Sequence, residues 1–321
     1  MLSFRDKLKF GILSGAKKGW SGFVWMIKIL VPISFFTMLL NYSGLLNKAD
    51  FLLEPAMRLL SLPPAAALPL IVGMLTGIYG GIAAMIMLPL SVNDMTLIAV
   101  FLLISHNLIQ EGIVQGKSGM NPLKATLFRL IASVVTVMAV AYFLDTGPGT
   151  AAVAKNVSVS SVAPFMVMLK VWLRQTAYLC VKIFFIVMTL MLVLGVMKSF
   201  NLVPHIVKAL NPLLKIMGLN QRAGILWLTA VVFGLAYGAA VIVEEVKEGS
   251  LSPEELTRLH LSIGINHSMV EDPTLFLSLG LSAFWLWIPR LITAIVAVHL
   301  FFLWHRMKKR KSSGLLHESA N

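Results

Sequence analysis

Two polar motifs interrupt apolar segments of the chain and carry side chains suited to proton transfer or ligand binding. ISHNLIQEG spans residues 104–112, and INHSMVEDP spans residues 265–273. In both, a histidine lies between small polar residues and is followed by Gln or Glu and then an acid. Two matched copies favour a functional site over simple helix caps. The candidate solute- or ion-binding residues are His106, Asn107, Gln110, Glu111, Asn266, His267, Glu271 and Asp272.

The spacing within the second motif would also suit a metal ion. His267 and Glu271 are four residues apart, which places them on one helix face. The first copy has Gln110 at the matching position, and an amide is a poor ligand. We therefore assign no metal ligands from the sequence, and we favour proton coupling or contact with a polar solute.

Further polar residues near the motifs are supporting candidates. Arg129 and Arg290 each follow a motif histidine by 23 residues and are expected to anchor the motif. Tyr79 and Tyr237 lie in the glycine-rich stretches GIYGG and GLAYG, where close helix packing is expected. Two adjacent acids end an apolar segment and are expected to be solvated. The supporting set is Tyr79, Tyr237, Arg129, Arg290, Glu244 and Glu245.

Composition identifies an integral membrane protein. Hydrophobic residues make up 58% of the chain, charged residues make up 13%, and the mean hydropathy is +0.84. Soluble domains have about 25% charged residues. The net charge of +13 comes from basic residues at segment ends and tails, which fits membrane lipids rather than nucleic acid. Motifs of enzymes or cofactor sites, such as HExxH, GxSxG or a Walker loop, do not occur, so neither an enzyme nor a cofactor is predicted.

Apolar runs long enough to cross a bilayer determine the predicted elements. They occur at about 22–46, 65–91, 123–144, 166–199, 223–243 and 283–304. Two more segments, at about 95–120 and 255–281, are interrupted by the motifs. A short amphipathic helix is expected before residue 65 and another between the fourth and fifth runs.

The chain contains an internal repeat. Pro55 and Gly77 recur 157 positions later, whereas His106 and Arg129 recur 161 positions later. The predicted organisation is a cytoplasmic basic N-terminal helix at 1–21, a first repeat at 22–145, a linker at 146–165, a second repeat at 166–305 and a basic cytoplasmic tail at 306–321.

The direction of the two repeats depends on how the interrupted segments run. If each crosses fully, every repeat has four spans and the repeats are parallel. If each is a re-entrant hairpin with a motif at its tip, every repeat has three spans and the repeats are inverted. Inversion places Lys208, Lys215 and Arg222 on the cytoplasmic side, as basic loops prefer, although it leaves Lys170 and Arg174 near the outer side. We favour inversion.

The motifs, together with GLAYGAAVIVEEVKEG, resemble the nucleoside-recognition or Gate-domain family of membrane proteins. That family is named for its similarity to segments of concentrative nucleoside transporters and the gate of the ferrous iron transporter, and it includes spore maturation membrane proteins. The resemblance implies an all-α integral membrane protein with two Gate-like helical repeats, each with an amphipathic interfacial helix and a broken or re-entrant hairpin. A GTPase domain and gate cysteines are missing from this chain, and no residue set matches a nucleoside site.

These observations lead to one expected function and two alternatives. We expect a permease of the plasma (inner) membrane that carries a small polar solute with proton or cation coupling. The alternatives are a non-transporting membrane scaffold of the spore-maturation type and a divalent-metal permease. Expected partners are membrane lipids, the solute, and a second copy or another membrane subunit.

Overall fold

The computed structural model describes residues 3–144, 164–234, 242–245 and 251–318. These residues form helices and connecting turns and contain no strand. Five candidate membrane spans lie at Phe4–Tyr42, Val92–Lys117, Pro122–Phe143, Phe165–Ser199 and Ala283–Met307. The chain is therefore an all-α membrane protein, as its composition predicts. The predicted linker 146–165 lies almost entirely outside the described residues.

The first half contains seven α-helices and one short 3-10 helix at Pro64–Ala66. The α-helices are α1 (Phe4–Tyr42), α2 (Leu45–Leu59), α3 (Ala67–Thr76), α4 (Ile78–Met85), α5 (Val92–Ser105), α6 (Leu108–Lys117) and α7 (Pro122–Phe143). The second half contains α8 (Phe165–Ser199), α9 (Val203–Ala209), α10 (Asn211–Ile216), α11 (Gln221–Phe233), α12 (Pro253–Asn266), α13 (Glu271–Leu277) and α14 (Ala283–Glu318).

The two longest candidate membrane spans, α1 and α8, form an antiparallel pair. The ring of Phe4 lies 5.1 Å from that of Phe200, and the ring of Tyr42 lies 5.6 Å from that of Phe165. With its 39 residues, α1 is about 58 Å long, well beyond the ~30 Å hydrocarbon core. The predicted domain boundary at residue 21 falls inside α1, so the basic N-terminal segment continues directly into the first span.

Helices α3 and α4 form a hairpin. Gly77 separates them with a φ of 96°, which glycine adopts without the clash that a side chain would cause. A Cβ atom added at Gly81 would lie 3.4 Å from both the Gly73 Cα atom and the Pro69 carbonyl oxygen. In one continuous helix, residues eight positions apart in sequence would be separated by about 12 Å, and residues twelve positions apart by about 18 Å. The chain therefore folds back at Gly77.

This hairpin corrects two predictions from the sequence. The run at 65–91 is not one span, because it turns back at Gly77. The segment at 95–120 is not a re-entrant hairpin, because α5 and α6 together form the candidate span Val92–Lys117, which is broken at its motif. Gly112 and Pro273, the last residues of the two motifs, lie inside α6 and α13. Hydropathy measures composition and length, so it cannot distinguish a crossing from a fold-back.

The amphipathic segments lie where the sequence predicts helices. The end of α2 and the helical segment Pro64–Thr76 meet at 89°, as expected for a helix that lies along a membrane surface before the chain turns inward. The corresponding segment of the second half is divided into α9 and α10.

Contacts across the core join the two halves. The hydroxyls of Thr136 on α7 and Thr293 on α14 are 2.8 Å apart. The Gln115 side chain donates to the His260 carbonyl at 3.3 Å, and the His260 ring lies 2.9 Å from the Ser118 carbonyl. These contacts keep α5–α6 beside α12, which brings the two motifs together.

Candidate functional site

The first motif is a break in a buried helix. His106 follows α5 with an extended ψ of 160°, and Asn107 has a left-handed φ of 48° before α6 begins. Asparagine tolerates this conformation better than most residues do. The backbone N–H of Asn107 donates to the Gly73 carbonyl at 3.0 Å, which joins the break to the tip of the α3–α4 hairpin.

The second motif repeats this backbone geometry. His267 has a ψ of 155°, and Ser268 has a φ of 50°. The Ser268 amide donates to the Ala230 carbonyl at 3.2 Å. Ala230 follows Gly73 by 157 positions, and Ser268 follows Asn107 by 161, which are the offsets of the sequence repeat. The two halves therefore share this contact as well as the break itself.

Each break exposes carbonyl groups that a buried arginine satisfies. Arg129 donates from Nε to the Ile104 carbonyl at 2.7 Å and from Nη2 to the His106 carbonyl at 2.9 Å. Arg290 makes the equivalent bonds to Ile265, at 3.1 and 2.8 Å, and to His267, at 2.8 Å. Both guanidinium groups are fully enclosed. Arg129 thus holds its motif through the backbone as well as through Glu111, whereas Arg290 holds the second motif through the backbone.

The two motif histidines face each other at the centre. Their ring centroids are 4.9 Å apart. His106 Nδ1 lies 2.8 Å from the Leu102 carbonyl, and His267 Nδ1 lies 3.0 Å from the Ile263 carbonyl. A carbonyl only accepts hydrogen bonds, so both Nδ1 atoms carry protons. The two Nε2 atoms are therefore the groups available for chemistry.

Glu111 connects the histidines and one arginine. Its Oε1 lies 3.1 Å from His106 Nε2, and its Oε2 lies 3.2 Å from His267 Nε2 and 2.6 Å from Arg129 Nη1. The carboxylate comes from one half and the second histidine from the other. Asp272, the counterpart of Glu111, lies 3.6 Å from His106 Nε2 through its Oδ2.

The residues at the Gln/Glu positions differ in environment. Gln110 is exposed and accepts a 3.0 Å hydrogen bond from the Asn107 side chain. Glu271 is half-buried, and the Tyr79 hydroxyl donates to it at 2.5 Å. Tyr79 belongs to α4 of the first half, so this bond joins the hairpin to the second motif. The sequence predicts tight packing for Tyr79, but the hydroxyl has a polar partner.

The structure brings four of the eight predicted binding residues into one cluster. His106 contacts Glu111, Asp272 and His267, and Glu111 also contacts His267 and Arg129. Glu244 is exposed and Glu245 half-buried on the helical stretch 242–245. Tyr237 lies outside the described residues.

Some polar groups next to the cluster lack hydrogen-bond partners among the described residues. They are the side-chain amide of Asn266, Nη1 of Arg290 and Oδ2 of Asp272. All three side chains are buried. Buried polar groups in proteins are nearly always paired, so such unpaired groups indicate a place for a ligand, water or ion.

Sequence reasoning missed residues that hold the site from outside the motifs. Gln115, Ser118 and His260 join the halves next to the breaks, although His260 has no matched counterpart in the first half. Leu102 packs against Gly73 and Gly81 of the hairpin. In the sequence, the pair Gly73 and Gly81, eight residues apart, was the feature that could have predicted this close packing.

Comparisons with known proteins agree with this architecture. Residues 23–149 match the family model described as Gate, nucleoside recognition, which confirms the predicted resemblance for that part of the chain. The chain is 27% identical over 307 residues to the uncharacterized membrane protein YvoD of Bacillus subtilis (strain 168), covering 95% of this chain and 96% of that protein. No solved structure matches. The findings indicate a transporter-like role in a membrane.

Proposed function

We propose that the protein is a secondary-type permease for a small polar solute, with a nucleoside-like compound as the first candidate. The observation that carries this proposal is the buried cluster at the paired helix breaks, where some polar groups have no hydrogen-bond partner among the described residues. Broken helices that meet near the bilayer midplane are the recurring binding-site design of secondary transporters. The family description adds support for a nucleoside-like solute.

The proposal includes inverted repeats in a plasma (inner) membrane, with both tails cytoplasmic. Counterpart helices related by an axis along the membrane normal would run parallel, whereas inversion makes them antiparallel. Helices α1 and α8 end at Tyr42 and Ser199, 157 positions apart, and they pack antiparallel. This pairing supports inversion even though the motifs are broken spans and not hairpin tips.

Coupling to protons or another cation follows from the charge of the cluster. Three carboxylates, those of Glu111, Glu271 and Asp272, lie near two guanidinium groups. With neutral histidines, the described cluster has one negative charge in surplus. Ionisable groups at membrane depth are costly and usually mark ion pathways. A proton or cation would neutralise the surplus as the site alternates between the two sides.

Uptake into vesicles reconstituted with the purified protein tests this proposal. Labelled nucleosides, nucleobases and small carboxylates are offered to the wild type and to the double variant His267→Ala, Glu271→Gln. We expect uptake of one class by the wild type and loss of that uptake in the double variant. His299→Ala, which changes an exposed histidine on α14, serves as the matched control. Unchanged uptake in a folded double variant would exclude the cluster as the pathway.

A non-transporting membrane scaffold is the second candidate. The observation in its favour is that Arg129 and Arg290 satisfy the carbonyls that the breaks release, which is a structural use for buried charge. In that case the double variant would lower the unfolding midpoint, while flux and solute binding would be absent in both proteins. The same vesicles and a thermal scan therefore separate the two candidates.

A further inference from the structure

We propose that His106, His267 and Glu111 form a binding site for one divalent transition-metal ion. The inference goes beyond the proposed transport of a polar solute, because it names an ion and its ligands. Nitrogen or oxygen atoms of these three residues all lie within 4.8 Å of one another. The second motif alone suggested His267 with Glu271, but Glu271 bonds to Tyr79 instead.

The orientation of the two imidazoles is the first supporting feature. Each Nδ1 donates to the carbonyl four residues earlier, that of Leu102 or Ile263. A neutral histidine with its proton on Nδ1 presents a lone pair at Nε2. Metal-binding histidines nearly always donate their other ring nitrogen to a carbonyl, carboxylate or water, which fixes the tautomer. Both motif histidines are held in this way.

The contacts of the two Nε2 atoms are the second feature. Each faces an oxygen of Glu111, at 3.1 Å for His106 and 3.2 Å for His267. A lone pair opposite an acceptor-only carboxylate is repulsive unless a cation or a proton lies between them. A single cation between Nε2 of both rings and the Glu111 carboxylate removes this repulsion at both places at once.

The separations fit coordination geometry. In tetrahedral sites with bonds of about 2.0–2.2 Å, ligand atoms are about 3.3–3.6 Å apart. The observed contacts of 3.1 and 3.2 Å between the two histidines and Glu111 are within a few tenths of an ångström of that range. Asp272 does not belong to this three-residue group, although its Oδ2 lies 3.6 Å from His106 Nε2, so the fourth position would be open to water or a solute.

The surroundings also suit a cation. Arg129 bonds to Oε2 of Glu111 at 2.6 Å, which orients the carboxylate as the outer partners of metal-binding carboxylates do. When all three carboxylates are ionised, they exceed the two guanidinium groups by one charge, so the site attracts a cation. All three ligand residues are buried, which limits competition from bulk water.

The donor set selects the kind of metal. Two imidazoles with carboxylates favour Zn²⁺, Fe²⁺, Mn²⁺ or Co²⁺, whereas Ca²⁺ and Mg²⁺ prefer oxygen-only sites. Cys180 lies on α8 and is not among the ligand atoms, so a thiolate site for soft metals is not formed here.

Metal titration of the full chain in detergent tests the site. The protein carries a purification tag without histidine, is stripped with a chelator and is titrated with Co²⁺ and Zn²⁺. We expect one ion per chain, with the visible absorption of four-coordinate Co²⁺. His267→Gln, His106→Gln and Glu111→Gln are each expected to weaken binding at least about tenfold. His299→Gln is the control, because its Nδ1 also lies 3.0 Å from the carbonyl four residues earlier, on an exposed helix face.

The outcomes are separable from those of the transport proposal, because the titration requires no flux. Absence of binding to the stripped, folded wild type would overturn the metal site and leave protons as the only occupants of the Nε2 atoms. Equal binding by wild type and ligand variants would place the ion elsewhere and overturn the site as well. Glu111→Gln preserves the side-chain shape, so it decides the matter if a histidine variant does not fold. A bound ion in vesicles that show no solute uptake would retain the site and reject the permease.

Discussion

At the scale of the residue, the two helix breaks require the buried arginines Arg129 and Arg290. Arg290 satisfies the Ile265 and His267 carbonyls with two nitrogens of one planar group. Lysine presents a single ammonium and cannot reproduce this fork. Arg290→Lys is therefore expected to lower the unfolding free energy by about 2 kcal/mol or more, since a buried carbonyl loses its donor.

Thermal or denaturant unfolding in detergent measures this loss. Arg58→Lys is the matched control, because Arg58 is exposed and its ion pair with Glu54 spans 3.9 Å. We expect a change within about 0.5 kcal/mol for that variant. Equal stability of Arg290→Lys and the wild type would show that the carbonyls at the second break do not need the guanidinium.

The Tyr79 hydroxyl is expected to matter for both stability and transport. It donates to Glu271 at 2.5 Å and joins the hairpin of one half to the motif of the other. Tyr79→Phe removes the donor and leaves the carboxylate less well solvated, at a cost of about 1–3 kcal/mol. Unfolding midpoints and vesicle uptake are measured together, and Tyr142→Phe, at an exposed site on α7, is the control. A Tyr79→Phe variant as stable as the Tyr142→Phe control would mean that the hydrogen bond from Tyr79 to Glu271 contributes nothing to stability.

The sequence predicted which polar residues lie close together better than it predicted how they pair. Each motif predicted a histidine with a nearby acid, and the structure places Glu111 and both histidines in contact. The choice of Glu111 as the shared carboxylate depends on contacts between halves, which no local spacing contains. The hydroxyl of Tyr79 reaches Glu271 across 192 positions for the same reason.

At the scale of the element, the close approach of α1 and α8 depends on glycines. A Cβ atom at Gly195 would lie 2.4 Å from the Gly11 carbonyl and 3.0 Å from the Gly15 Cα atom. These are backbone atoms, so the helices must move apart to admit a methyl group. Gly195→Ala is expected to destabilise the fold by about 1–3 kcal/mol, the usual cost of overpacking.

Gly22→Ala on α1 is the control for this prediction, because a Cβ atom there would meet nothing within 4 Å. Alanine favours helices over glycine by about 1 kcal/mol, so the control is expected to be neutral or slightly more stable. Unfolding curves of the two variants are compared directly. A Gly195→Ala variant as stable as the control would contradict the close antiparallel packing.

The elements also show where prediction from sequence succeeded and failed. The breaks at the two motifs and the surface helix α2 were predicted from polar interruption and amphipathic spacing. The sequence predicted a single membrane span where the structure has the α3–α4 hairpin, because an apolar run of this length is compatible with either structure. The fold-back of the chain is visible only in the conformation at Gly77 and in the contacts of the α3–α4 hairpin with α5.

At the scale of the whole molecule, the proposed inversion would place equivalent positions on opposite sides of the membrane. Asn121, before α7, and Ser282, before α14, are 161 positions apart and both exposed. In a Cys180→Ser background, Asn121→Cys and Ser282→Cys are each treated with a membrane-impermeant maleimide on intact cells. We expect one of them to react from outside and the other only after the cells are opened. Reaction of both from the same side would contradict inversion.

The repeat itself is visible in the sequence because its markers are residues with special conformations. Gly77 and Gly234 both have positive φ, as do Gly119 and Gly280, and the offsets of 157 and 161 positions persist in the structure. The relative orientation of the two repeats was harder to predict, because Lys170 and Arg174 on α8 argue against inversion, whereas the basic residues of the later segments argue for it. The antiparallel packing of α1 and α8 supplies evidence that charge counting could not.

The central claim is that the cluster at the paired breaks binds the transported solute. The most direct measurement is the unfolding midpoint of the purified protein against nucleosides, nucleobases, small carboxylates, peptides and divalent metals. Ligands of the native state raise the midpoint as their occupancy increases. We predict that a polar solute raises it in the wild type and in His299→Ala, but not in His267→Ala, Glu271→Gln. A shift of the same size in that double variant, or no shift with any compound in the wild type, would contradict the claim.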